Sequence, residues 1–133
     1  MWDINPLAVV GAGLVGLVVG FPWYGPLFGK RWQAALGMSD ESMKSANMAM
    51  IFGTMIVLNL FAAFILGHVL ATYGNPDLRI SMMVGFGVGL GFIATALGVN
   101  YLFQRKSLVL FAIDAGYWIV TYTLMGAVFG ALR

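Results

Sequence analysis

Phe21-Pro22-Trp23-Tyr24-Gly25-Pro26-Leu27-Phe28-Gly29-Lys30-Arg31-Trp32 separates an apolar opening from the first group of charges. Pro22 and Pro26 stand four residues apart and cannot both sit inside one regular helix without bending it. Trp23, Tyr24 and Trp32 carry amphipathic rings of the kind that settle at lipid headgroups, and Lys30 and Arg31 follow on the watery side. The stretch reads as the exit of a helix from a membrane.

Composition agrees. The 133 residues are 61% hydrophobic and 9% charged, beyond the roughly half-apolar make-up of a soluble domain. The charges fall in clusters and leave four long apolar runs, each close to the roughly 20 residues that span a bilayer as a helix. The class is therefore an all-α integral membrane protein: one domain of four transmembrane helices in an up-down bundle, with a short interfacial helix after the first span. Cysteine is absent, which removes disulfide and thiol chemistry. The net charge of +2 reflects orientation in a membrane rather than a nucleic-acid partner.

Upstream of the exit, the first span covers about residues 6–23, with Asn5 as cap and Pro6 as the first helical residue. Met1-Trp2-Asp3 is acidic and no A-x-A-like site follows, so no cleaved signal is expected. Gly13, Gly16 and Gly20 lie on one stripe, and Gly16 with Gly20 forms a small-xxx-small pair suited to close helix packing.

Downstream, residues 26–36 suit a helix lying along the surface, with Leu27, Phe28, Ala35 and Leu36 in lipid and Gly37 as its stop. Ser39-Asp40-Glu41 then starts a helix running to about residue 73, whose membrane part is 46–73. Gly74-Asn75-Pro76 ends it. Asn59 rides in the middle of this span, on a stripe with Met48, Phe52, Met55, Ala62 and Leu66, and His68 lies on the opposite face. A lone His near a helix end is more often hydrogen-bonded structure than a ligand or relay. Met43, Met48, Met50 and Met55 have neither Cys nor a second His beside them, so they read as packing rather than copper ligands. No metal and no cofactor is expected.

The third span, about residues 80–103, carries the string G-F-G-V-G-L-G, which has neither the spacing nor the preceding strand of a dinucleotide loop. On a regular wheel Gly85 and Gly89 share a face with Ala96 and Asn100, while Gly87, Gly91 and Gly98 share the opposite one. Two smooth faces place this helix at the bundle's centre, or between the bundle and another subunit. A tight basic turn, Gln104-Arg105-Lys106-Ser107, makes a hairpin with the fourth span, about residues 108–132.

Asp114 is the only acidic residue well inside a span. It shares a face with Tyr117, Trp118, Thr121 and Met125, and lies at nearly the depth of Asn100 on the neighbouring helix. A carboxyl at that depth is costly and needs partners. It is either a functional group or a hydrogen-bonding group that fixes the helices. The expected arrangement is one polar cluster of Asn100, Asp114, Tyr117 and Thr121 with Trp23 and Tyr24. In it, Asn100 and, when protonated, Asp114 donate to the carbonyls released at Pro22, and Trp23 and Trp118 shield the group from lipid.

W-Y-G-P-L-F-G-K-x-W after span one, A-T-A-L-x-V-N-Y-L-F in span three and R-K-S-L-x-L-F-x-I-D-A-G-Y in span four carry a family resemblance. Together they resemble a bacterial family of small four-helix membrane proteins, domain of unknown function number seventeen sixty-one, over nearly the whole chain. The resemblance implies a four-span fold in a bacterial cytoplasmic (inner) membrane and no particular activity. It also implies that Asn is common at the position of Asp114, which argues against an obligatory proton carrier.

Two function classes follow. One is transport or permeation by a homo-oligomer, small-solute or proton-linked, along a polar path of Asn100, Asp114, Tyr117 and Thr121; small multidrug transporters are similar in size and span count. The other is a non-catalytic accessory component whose glycine faces assemble with itself or with another membrane protein. An enzyme is not expected, because no nucleophile, metal cluster or acid–base pair is present. Lys30, Arg31, Lys44, Arg105 and Lys106 fall on one side and only Arg79 and Arg133 on the other, which puts both termini outside the cytoplasm.

Overall fold

Every span opens on a polar side chain that caps it. The side-chain oxygens of Asn5, Asn47, Asp77 and Ser107 accept from the backbone N–H of Leu7, Met50, Ile80 and Leu110 at 3.0–3.1 Å. Such caps satisfy amides that a helix start leaves without partners, and in lipid no water would serve them. The four apolar helices they begin are Pro6–Leu27, Met48–Thr72, Leu78–Gln104 and Leu108–Ala131, each long enough to cross a bilayer. This computed structural model describes residues 4–133; the expectation placed on Met1-Trp2-Asp3 lies outside the described residues.

The exit of the first span bends differently from the sequence expectation. Regular α-helix stops at Pro22, and Trp23–Leu27 forms one wide turn in which Phe28 N–H donates to the Trp23 carbonyl, five residues back, at 2.9 Å. The two prolines remove N–H donors, and the wider turn restores one bond across the gap. No side chain of Asn100 or Asp114 is recruited there.

The surface helix follows at Gly29–Leu36 and ends on Gly37, whose φ of +70° is the left-handed geometry glycine adopts at low cost. Phe28 and Trp32 do not dip outward. Phe28 packs on Trp23 with ring centroids 4.9 Å apart, and Trp32 stands edge-on to Tyr24 at 5.2 Å.

Ser39 caps a helix, but a short one, Asp40–Lys44. The helix expected to run unbroken from Ser39 is interrupted at residues 45–47. There Ser45 Oγ donates to the Ser42 carbonyl and Asn47 starts a new helix. Ser and Asn side chains compete with the helical ladder for its own backbone groups, so this polar stretch breaks the helix. The second span ends at Thr72, and Gly74, with a φ of +80°, turns the chain.

Span one lies between spans two and four, and span four lies between spans one and three. The fourth span is thus the central helix, and the surface helix rests against it too. The third span sits at the edge, which corrects the first of its two expected places, the bundle's centre, and leaves the second, between the bundle and another subunit. Spans three and four approach backbone to backbone: a Cβ on Gly89 would come 2.9 Å from Ile119 Cα, and one on Gly130 would come 2.6 Å from Leu78 Cα. Gly85 and Gly126 face the Tyr122 and Ser81 carbonyls as closely. Gly87 and Gly91, on the other face, have open space beside them. The core is Ala8, Ala12, Val15 and Val19 of span one with Ala63, Leu66 and Leu70 of span two and Tyr117, Tyr122, Met125 and Phe129 of span four.

Candidate functional site

Asp114 is half-buried near the start of the fourth span and is held by two tyrosines from two other spans. Tyr24 Oη, from the wide turn after span one, donates to its Oδ1 at 2.5 Å. Tyr101 Oη, from the last turns of span three, donates to its Oδ2. Both oxygens therefore accept from neutral hydroxyls, and the carboxyl group is held as a hydrogen-bond acceptor. One residue earlier on both helices, Trp23 Nε1 donates to the Ile113 carbonyl at 2.9 Å. Three spans are tied at one point.

Asn100, the expected partner of Asp114, is exposed and makes no side-chain hydrogen bond among the described residues. The reason lies eleven residues upstream. Gly89–Ala94 is a second wide turn, within a span that otherwise winds as α-helix. Such a turn holds one extra residue, so every later position is rotated by about 100° relative to a regular wheel. The inward face marked by Ser81, Gly85 and Gly89 therefore continues to Tyr101 instead of Asn100. Thr95 stabilises the distortion: its Oγ1 donates to the Gly91 and Phe92 carbonyls at 2.8 and 3.1 Å.

Beside Asp114 opens a cleft of about 600 Å³. Span one and its exit supply Leu17, Gly20, Phe21, Tyr24 and Gly25; the surface helix supplies Trp32. Met43, Met48, Ile51, Phe52 and Met55 form the wall on the side of span two, and Tyr101, Asp114, Tyr117 and Trp118 close the back. No basic residue lines it. Three of the four methionines read from sequence as packing, Met43, Met48 and Met55, thus face a cavity on one wall. A second cavity, of about 570 Å³, lies at the opposite end of the helices, lined by Ile4, Asn5, Ala8, Gly67, Asn75, Phe129, Leu132 and Arg133. Between the two the helices are packed shut at Ala12, Ala63 and Met125, all 0% exposed.

The remaining polar residues form a separate, deeper group. Tyr117 is buried, and its hydroxyl donates to the Gly16 carbonyl at 2.8 Å instead of joining Asp114. Gly16 makes that approach possible, since a Cβ there would lie 2.5 Å from Asn59 Nδ2 and 3.0 Å from Tyr117 Oη. At Gly20 a Cβ would meet the Tyr117 ring only at ordinary contact distance, 3.6 Å. Asn59 Nδ2 and Thr121 Oγ1 are buried without a hydrogen-bond partner among the described residues. The single cluster expected from sequence is therefore two: Asp114 with Tyr24, Tyr101 and Trp23 near the membrane exit, and Tyr117 with Gly16 and Asn59 at mid-depth. Trp118 flanks the first, its ring 4.8 Å from that of Tyr117. His68 is remote from both and stands edge-on to Phe64 at 4.4 Å.

The sequence placed Asn100 at the depth of Asp114, and the structure brings its neighbour Tyr101 there instead. The signal was present in the glycine run Gly85–Gly91, where a helix with few side chains to pack is readily widened. The family model described as a protein of unknown function (DUF1761) matches residues 7–130. Neither curated proteins nor solved structures provide a match.

Proposed function

We propose, from the premise that the chain belongs to the DUF1761 family of proteins of unknown function, that it is a multi-pass membrane protein that binds and moves a small solute through the Asp114 cleft. The cleft carries this reading. It is within the roughly 300–1,000 Å³ range of small-molecule sites, mostly apolar, with one carboxyl group at its wall. A carrier also needs an approach from each face, and the second cavity offers one. From Leu17 in one cavity to Ala8 in the other is nine residues of helix, about 14 Å, closed by small core side chains. No catalytic role is assigned.

The test is uptake into proteoliposomes of a panel of cationic, neutral and anionic solutes, with Met55→Trp as a variant that fills the cleft. Flux above that of empty liposomes, lost in the variant, supports a carrier. Flux equal to empty liposomes for every solute removes the reading.

A homo-oligomer is the second part of the proposal, supported by Gly87 and Gly91. These two sit one turn apart on the outer face of the edge helix with open space beside them, so a neighbouring backbone has room to approach. Gly87→Leu is expected to leave the monomer fold intact and convert an oligomer to monomer in nanodisc mass photometry. A wild-type chain that is monomeric in nanodiscs would count against self-assembly and leave this face to the alternative reading, an accessory component that docks on another membrane protein.

Orientation is the third part. The surface helix with Lys30 and Arg31 lies at the same end as the Arg105-Lys106 turn, since it packs on the start of span four. Positive residues gather in the cytoplasm, so both termini belong on the outer side of a bacterial inner membrane. A carboxyl-terminal alkaline phosphatase fusion should be active and a green fluorescent protein fusion dark. The reverse pattern would overturn it.

A further inference from the structure

We infer that the solute of the Asp114 cleft is a lipophilic monovalent cation, its charge set at the carboxylate and its apolar body against the aromatic and methionine wall. This rests on the cleft being a solute site and adds the chemistry of the solute.

The charge argument comes first. Asp114 makes no ion pair among the described residues; its two partners, Tyr24 and Tyr101, are neutral donors. The cleft lining adds no positive charge to offset it. Tyr24, Trp32, Tyr101 and Trp118 instead bring aromatic rings, and a cation over the face of such a ring is attracted by its quadrupole. An anionic solute would meet only repulsion there.

The polarity argument narrows the class. A sugar, amide or peptide solute needs several hydrogen-bond partners, and the three tyrosine hydroxyls at this wall already donate, those of Tyr24 and Tyr101 to Asp114 and that of Tyr117 to the Gly16 carbonyl. A metal cation needs several oxygen ligands at short distance, where the cleft presents one carboxylate. A quaternary or arylated cation spreads its charge over carbon and needs no ligand shell. Its bulk matches Met43, Met48 and Met55, flexible side chains that adapt to varied apolar shapes. Phe21, Met48 and Ile51 on the lip of the cleft are exposed, so a solute dissolved in the lipid layer meets the cleft from the side.

Equilibrium binding of radiolabelled tetraphenylphosphonium and of uncharged triphenylphosphine oxide to the purified full chain tests the inference. Wild type should bind the cation saturably and at least tenfold more tightly than the neutral compound. Asp114→Asn should lose that tenfold preference, and Met55→Trp should lose binding of both. Equal affinity for both compounds in wild type, with both lost in Met55→Trp, would overturn the cation inference and leave the cleft as a solute site. No saturable binding, or binding that Met55→Trp does not change, would overturn both. Because the charge preference is read in wild type, a poorly folding Asp114→Asn would not rescue the idea.

Discussion

Gly126→Ala is expected to destabilise the protein by about 2–3 kcal/mol, and Gly126→Val by more. The added Cβ would run into the Ser81 carbonyl, with the Ser81 carbonyl carbon 2.9 Å away and Met82 Cα 3.2 Å away. These are backbone atoms, and no rotamer change moves them aside. The two helices must part, and parting also opens the contacts of Gly85, Gly89 and Gly130 along the same seam. Without a hydrophobic drive between helices in lipid, close packing of this kind supplies much of the association. Gly87→Ala supplies the contrast, because nothing lies within 4 Å of its Cβ position. There the replacement should be neutral or stabilise by up to about 1 kcal/mol through helix propensity. Detergent-titrated unfolding followed by circular dichroism reads both. Equal stabilities for the two variants would mean that the third and fourth spans are not held by this seam.

The four spans were legible because hydropathy and length decide them, and membrane crossing leaves the backbone few options. The capping residues Asn5 and Ser39 and the stops at Gly37 and Gly74 were legible for local reasons. What the sequence did not reveal was register. A wheel drawn through span three is regular, and Gly89–Ala94 is not. One extra residue in that turn exchanges Asn100 for Tyr101 at Asp114, so the right helix was paired through the wrong side chain. The place of each helix was equally hidden. Two smooth glycine faces suggested a third span at the centre or against another subunit, yet Gly85, Gly89 and Gly98 meet span four while Gly87 and Gly91 have open space beside them. Smoothness records that a backbone can approach. It does not record whose backbone arrives.

The methionines teach the same point from the other direction. Met43, Met48 and Met55 have the spacing of packing residues and would pack in a closed bundle. Here the break at residues 45–47 and the wide turn at Trp23–Leu27 hold the surface helix and span two apart, and the same side chains line a cavity. Periodicity distinguishes polar from apolar faces, whereas an apolar cavity and an apolar core read alike.

Asp114→Leu is expected to loosen the corner where three spans meet and to abolish cation flux, while Asp114→Asn should separate those effects. Leucine removes the acceptor of two tyrosine hydroxyls from two different helices. A buried polar group left unpaired costs about 1–3 kcal/mol, but interhelical polar contacts in membranes average nearer 0.6. Tyr24 and Tyr101 sit close to the membrane boundary, where water reaches part of the loss. The expected total is therefore about 1–3 kcal/mol in the unfolding measurement above. Asparagine keeps an acceptor for Tyr24 and offers an N–H to Tyr101, whose hydroxyl oxygen accepts as readily as it donates. Its stability should stay within about 1 kcal/mol of wild type, with the three-span corner intact. Its charge is gone, so tetraphenylphosphonium uptake should fall at least tenfold in proteoliposomes. An Asp114→Asn protein that folds and carries the cation at the wild-type rate would make the residue a structural clamp alone. One that unfolds as readily as Asp114→Leu would mean that the charge itself holds the helices, through charge-assisted hydrogen bonds from Tyr24 and Tyr101 that an amide does not match.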